Sequence, residues 1–241
     1  MNIIQKLVKL LMILIILPTL TGCIFINKEE TAKKALKEKY QEEFEISEIF
    51  DQKLGESSYR VQANPVSDST LNFRASVEFK DHALSDNYVE RIICHKINTQ
   101  VEKNLNGLPG NYYLFTHALG PQPIANDKNI SVEEYAKLDR RNRFRGELFL
   151  TTQNLKSEEL FNVLKDAFTD LNYLNGEIRF YIIDSQLMKE TQEYFLRNDD
   201  IYYEFSHKMN LVPYLELEYE NGILNMSESE FKESMVDCFG N

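Results

Sequence analysis

Apolar and polar residues alternate through the first half of the chain, and this alternation predicts three strands, at 44–50, 59–63 and 71–79. The segment 31–40 before them is rich in helix formers. Between residues 89 and 105 apolar residues recur every four positions, which is typical of a helix with one buried face. Residues 31–106 are therefore predicted to form an α-β-β-β-α unit, with helices on one face of an antiparallel sheet.

Strand and helix patterns alternate in the second half. Strands are predicted at 112–116, 147–152, 177–183 and 212–219. Helices are predicted to begin at Ser131, Ser157, Asp184 and Ser227, and Asn175-Gly176 is expected to end the second of them. Residues 107–241 are thus predicted to be a second unit of α/β type (βαβαβ-α). The chain as a whole is predicted to be an α+β protein with helices packed on sheets.

The first residues have the pattern of an export signal. Lys6 and Lys9 precede an uninterrupted apolar run at 10–17, and Pro18 follows it. Positive charge, an apolar core and small residues before a cleavage point are the three parts of such a signal. The segment therefore predicts export of the chain.

This signal ends in Leu20-Thr21-Gly22-Cys23, which resembles the lipobox of bacterial lipoproteins. The resemblance implies cleavage between Gly22 and Cys23 and a diacylglyceryl group on the Cys23 sulfur, and it implies no other cofactor. Residues 1–22 would be the signal peptide and 23–30 the lipidated cysteine with a short tether. The head would then be held at the outer face of the cell membrane, since two acyl chains anchor a protein stably.

Two other interpretations of this segment remain open. Residues 10–26 are seventeen positions without a charge, whereas a membrane-spanning helix needs about 20 apolar residues, and Pro18 and Gly22 would interrupt it. An ordinary signal peptide with an incidental cysteine is the second alternative. A further resemblance concerns 32–40 and 43–46, which look like the opening of small surface lipoproteins of Gram-positive bacteria. Those families are largely without assigned activity, so no functional residue follows from them.

Net charge and cysteine content limit the partners and the metal sites that the chain is expected to have. The net charge of −11 becomes −13 without residues 1–22, whose only charged side chains are Lys6 and Lys9. This balance argues against nucleic acid as a partner, because phosphate binding needs a surplus of Lys and Arg. Cys94 and Cys238 permit one disulfide or two unpaired thiols, and no cysteine or histidine spacing suits a zinc site.

No catalytic motif is present, so three function classes stay open. The first is a membrane-anchored surface lipoprotein that acts as a non-enzymatic binding or interaction module. The second is a structural or assembly partner of a membrane complex, and the third is a hydrolase of the envelope. Cys94 beside His95 does not suggest a catalytic pair, because adjacent helical residues diverge by about 100°.

One cluster of positive charge stands out in this acidic chain: Lys137, Arg140, Arg141, Arg143 and Arg145. One interpretation is a solvated turn whose arginines pair with nearby glutamates. The other is a contact site for an anionic partner such as a wall polymer, a lipid headgroup or an acidic envelope protein. Arginine suits that role because its planar fork pairs with phosphate or carboxylate.

Overall fold

The computed structural model describes residues 27–50, 55–108, 110–120, 125–139, 143–151, 156–196, 198 and 212–239. Gly22 and Cys23 lie outside these ranges. Within them, no helix combines the length and apolar character needed to cross a membrane. The described part contains six α-helices and two mostly antiparallel sheets, with helices packed against the sheets. The predicted α+β class is confirmed.

The first sheet has four antiparallel strands in the order β1-β2-β3-β4. Its strands and the helices around it are α1 (Lys28–Tyr40), β1 (Phe44–Ile49), β2 (Ser58–Pro65), β3 (Phe73–Glu78), β4 (Leu84–Asp86) and α2 (Tyr88–Asn104). Ala32, Leu36 and Tyr40 form the buried face of α1. Every second residue of β3 is buried, as the alternation predicts.

The second sheet has five strands in the order β5-β6-β7-β8-β9. The elements of this half are β5 (Asn111–Leu119), α3 (Val132–Leu138), β6 (Arg143–Thr151), α4 (Ser157–Lys165), a 3-10 turn (Thr169–Leu171), β7 (Asn175–Ile182), α5 (Ser185–Phe195), β8 (Tyr214–Glu220), β9 (Ile223–Leu224) and α6 (Glu228–Phe239). Strands β6 and β7 are parallel and joined through α4, and the other neighbours are antiparallel.

The start of β6 and the end of α4 differ from the prediction by four residues or more. Strand β6 begins at Arg143, so Arg143 and Arg145 belong to a strand. Helix α4 ends at Lys165, and Asn175-Gly176 opens β7 instead of ending the helix. Gly176 is required there because a Cβ atom would lie 2.9 Å from the Phe168 ring.

Helix α2 joins the two sheets. Its Ile93, Ile97 and Val101 are almost fully buried in one apolar cluster that contains residues of both sheets. The opposite face of the second sheet carries a smaller aromatic cluster, which includes Phe115 and Phe195 of α5. The end of α5 also reaches the first sheet, where Asn72 Nδ2 donates to the Leu196 carbonyl at 2.8 Å. Three elements thus meet at the junction of the sheets: α2, β5 and the end of α5.

Candidate functional site

Charged side chains cover part of one face of the second sheet, and three of the four pairs that they form between neighbouring strands join opposite charges; the exception is Glu177 beside Glu218. Neighbouring strands pair Glu147 with Arg179 and then Glu216 in one row. In the next row they pair Arg145 with Glu177 and then Glu218. Opposite charges on directly paired residues stabilise a sheet. The face is therefore built as a charge network within the protein.

The predicted cluster of positive charge lies partly in this network. Arg145 contacts Glu177, whose side chain is nearly buried, and Arg143 Nη2 lies 3.4 Å from the same carboxylate and 3.8 Å from Glu218. Lys137 lies apart on α3, where it pairs with Glu133 at 2.7 Å. Arg140 and Arg141 lie outside the described residues. Each described member of the cluster thus pairs with a carboxylate of the chain.

Glu147 is the most deeply buried acid of this face, with no exposed surface. Its oxygens accept a hydrogen bond from the Tyr181 hydroxyl at 2.9 Å and contact His117 Nε2 at 3.1 Å. Burial, followed by the adjacent Glu147, raises the pKa of Tyr181 well above its usual range. The phenol therefore stays protonated and donates to the carboxylate. Such a buried, bonded acid serves to hold the strands together.

Three carboxylates on the same face come close enough to hold a metal ion. Oxygens of Glu177, Glu216 and Glu218 lie within 4.8 Å of one another. Arg143 and Arg145 bind the Glu177 carboxylate, and Arg179 Nε donates to Glu216 at 2.9 Å. The arginines already compensate the charge that a divalent cation would need. The group therefore fits an ion-pair network better than a metal centre.

A different charged residue, Arg91 of α2, lines a cavity of about 210 Å³ between α2, β5 and the end of α5. Arg91 is only 7% exposed. Its Nη1 donates to the Thr116 carbonyl at 2.9 Å, its Nε donates to the Asn72 carbonyl at 3.3 Å, and its guanidinium stacks on the Phe115 ring at 4.8 Å. Within the described ranges, no carboxylate forms an ion pair with Arg91 and its Nη2 donates no hydrogen bond.

The hydrogen bonds of Arg91 have a structural role that does not need its charge. Strand β5 is an edge strand, and the Leu114 and Thr116 carbonyls are two residues apart, so both point to the same side. Arg91 donates to Thr116, and the neutral Asn98 donates to Leu114 at 2.8 Å in the same way. A buried charge without an acidic partner is costly, because burial removes water from the ion. The guanidinium is therefore the unusual feature of this edge.

The far end of the cavity carries a carboxyl group. Glu102 lies on the same polar stripe of α2 as Arg91 and Asn98 and lines the same cavity, and its carboxylate forms no hydrogen bond with the described residues. Burial raises the pKa of Glu102, while His95 acts in the opposite direction. Tyr113 lies within the electrostatic range of both charges: burial raises its pKa to about 12, Arg91 lowers it and Glu102 raises it further. The cavity thus has a cationic and an acidic end.

Cys94 and His95 also line this cavity. Cys94 is buried, whereas His95 is exposed, which agrees with the divergence of adjacent helical residues. Cys94 and Cys238 are not joined in a disulfide.

Sequence reasoning missed Arg91, Asn98 and Glu102. The helical pattern at 89–105 predicts the buried apolar stripe and assigns no role to the polar residues beside it. A signal was available, because Arg91, Asn98 and Glu102 recur at helical spacing along the border of the apolar face. Only the strand that packs against this border distinguishes a cavity from solvent.

Comparison with known proteins supports the fold and leaves the function open. No model of a protein family matches the chain, and no curated protein matches it. The fold is similar to the crystal structure of a DUF5037 family protein from Ruminococcus gnavus, with a TM-score of 0.66 and 16% identity over 86% of this chain and 98% of that one. At this identity the similarity concerns the fold alone.

Proposed function

We propose that this protein is a lipoprotein held at the outer face of the cell membrane by a diacylglyceryl group on Cys23, and that its head is a non-enzymatic binding module. The lipobox residues Leu20-Thr21-Gly22-Cys23 support the anchor. Helix α1 begins at Lys28, only five residues beyond Cys23. An extended chain spans at most about 3.6 Å per residue, so this tether keeps the head within about 20 Å of the membrane surface.

The ligand that we propose is a small organic acid whose carboxylate binds Arg91. The observation that carries this proposal is that Arg91, which is 7% exposed as a residue, lines a cavity and forms no ion pair with a described carboxylate. Arginine pairs with carboxylates through two parallel hydrogen bonds. Leu71 and Phe115 give the cavity apolar walls, which suit an organic body, and Glu102 opposes a doubly charged phosphate. A carboxylate therefore fits better than a phosphate.

One experiment with two arms tests this proposal on the full-length chain. In the first arm, cells that express wild type or Cys23→Ala are fractionated, and the N-terminal peptide is analysed by mass spectrometry. We expect a diacylated Cys23 and membrane localisation in wild type, and release from the membrane or retention of residues 1–22 in Cys23→Ala. An unmodified Cys23 in wild type would contradict the anchor.

The second arm measures binding of N-acetyl-trialanine, a carboxylate with a small apolar body, to the purified protein in detergent by calorimetry. We expect binding in wild type and its loss in Arg91→Gln. Arg60→Gln serves as the matched control, since Arg60 is exposed, stacks on Phe50 and does not line the cavity. If Arg91→Gln fails to fold, Thr70→Glu replaces it in the test. Thr70 is an exposed residue of the cavity lining, and a glutamate there would compete with the ligand for Arg91 and weaken its binding. No binding in wild type tighter than about 1 mM, which corresponds to about −4 kcal/mol, would overturn the ligand proposal.

A further inference from the structure

We infer that the Arg91 cavity is built for a zwitterion, a ligand with a carboxylate at one end and a positively charged group at the other, as in a short peptide with free termini. This inference rests on the proposed carboxylate site and adds the second charge. Its basis is the presence of two ionisable groups of opposite sign, Arg91 and Glu102, at the two ends of one cavity.

The two groups do not compensate each other within the protein. Arg91 and Glu102 are eleven residues apart on α2, which corresponds to about 16 Å along the helix axis. Arg91 forms no ion pair with the described residues, and the Glu102 carboxylate accepts no hydrogen bond from them. A single ligand that bears both charges would satisfy the two ends at once. A simple carboxylate would leave Glu102 as it is.

The polar groups between the two ends are neutral. Asn98 lies between Arg91 and Glu102 on the helix and is held by the Leu114 carbonyl at 2.8 Å and by the Thr116 hydroxyl, which donates to Asn98 Oδ1 at 2.7 Å. Tyr113 completes this part of the wall, and its high pKa keeps it a neutral phenol. The middle of the cavity therefore suits an uncharged body.

The spacing of Arg91 and Glu102 requires an elongated ligand. Their backbones are about 16 Å apart along α2, whereas an extended tripeptide spans about 10 Å, at about 3.3–3.6 Å per residue. The Arg91 and Glu102 side chains, which both line the cavity, would cover the rest of the distance. A tripeptide of small residues is therefore a suitable probe for both charges.

The test compares three probes that differ only in their end charges, each titrated into the full-length protein in detergent. Trialanine carries both charges, N-acetyl-trialanine keeps only the carboxylate, and trialanine amide keeps only the ammonium group. We expect trialanine to bind wild type about fivefold tighter than N-acetyl-trialanine, since a partly buried ion pair contributes about 1 kcal/mol. Trialanine amide is expected to bind most weakly, because it leaves Arg91 without a partner.

Two variants separate the ends. Glu102→Gln should make trialanine and N-acetyl-trialanine bind equally, whereas the exposed Glu228→Gln should leave the fivefold preference unchanged. Arg91→Gln should weaken both probes. If wild type binds trialanine and N-acetyl-trialanine with the same affinity, the zwitterion inference is overturned while the carboxylate site of the proposed function stands. If neither probe binds wild type, both are overturned.

Discussion

At the scale of single residues, the charges of two largely buried arginines are compensated by different kinds of partner. Arg145 contacts the buried carboxylate of Glu177, and Arg143 reinforces that pair. Arg91 has backbone carbonyls and the Phe115 ring as its partners. A carbonyl compensates a positive charge less than a carboxylate does, since it carries no net charge. Arg145 is thus explained by the fold alone, whereas Arg91 has bonding capacity left for a ligand.

The Arg145–Glu177 pair gives a stability prediction at this scale. Glu177→Gln should lower the free energy of unfolding by about 3–5 kcal/mol, because it leaves a mostly buried guanidinium without its charged partner. Urea unfolding at neutral pH measures this change. Glu159→Gln removes the matching member of an exposed pair with Lys156 and should cost less than about 1 kcal/mol. Similar losses of unfolding free energy in the two variants would show that the Arg145–Glu177 pair stabilises the protein no more than an exposed pair does.

At the scale of elements, the sequence predicted what depends on local pattern. The alternation at 71–79 and the four-residue spacing at 89–105 correspond to β3 and α2, because burial on one face forces those periods. The same dependence on burial made the predicted end of α4 wrong. Ala167, Phe168 and Leu171 are all buried, as a continued helix would require, but a turn and a 3-10 turn bury them instead. The spacing of apolar residues thus predicts which residues are buried more reliably than it predicts the backbone conformation that buries them.

The cavity could not be predicted by such patterns, because its walls come from elements far apart in the sequence. Arg91 and Asn98 lie on α2, Tyr113 on β5 and Leu196 at the end of α5. Their proximity depends on how α2 packs beside the edge of the second sheet. The fold class follows from local periods, whereas the site follows from that long-range contact.

The hairpin between β8 and β9 gives the prediction at the element scale. Asn221 and Gly222 form its two-residue turn, and both have positive φ values, 49° and 77°, as turns with Asn-Gly prefer. A Cβ atom on Gly222 would lie 2.6 Å from the Phe168 carbonyl oxygen. Gly222→Ala should therefore destabilise the protein through both backbone strain and a collision with the 3-10 turn region.

Gly120→Ala isolates the strain, because Gly120 has a similar φ of 73° and, apart from its chain neighbours, no atom of the described residues lies within 4 Å of where its Cβ would be. We expect it to cost about 1–2 kcal/mol, and Gly222→Ala to cost about 1–3 kcal/mol more. Chemical denaturation of both variants measures the difference. Equal costs would mean that the contact between this turn and Phe168 can relax freely.

At the scale of the whole molecule, the two predicted units share their apolar interior. Residue 107, where the sequence predicts a boundary, lies in the chain between the last strand of the first sheet and the first strand of the second. Buried residues of both sheets nevertheless belong to one cluster, and α2 packs against β3 on one side and β5 on the other. Asn72 and Leu196 add a hydrogen bond across the same junction. The cavity between Arg91 and Glu102 therefore has walls that exist only when both halves are folded.

This sharing predicts that the head unfolds as one cooperative unit. Ile97 is fully buried in the common cluster, and Ile97→Ala should cost about 2–5 kcal/mol through lost burial and the cavity left behind. If the halves are coupled, global opening exposes both, so amide hydrogen exchange should accelerate by the same factor in β2 and in β7. Lys103→Ala, at an exposed position of the same helix, should change the free energy of opening by less than about 0.5 kcal/mol. Exchange in β2 and in β7 should therefore stay close to the wild-type rates. Faster exchange in β2 with unchanged exchange in β7 would mean that residues 31–106 and 107–241 are separate domains, and that the cavity lies at an interface able to open without unfolding either one.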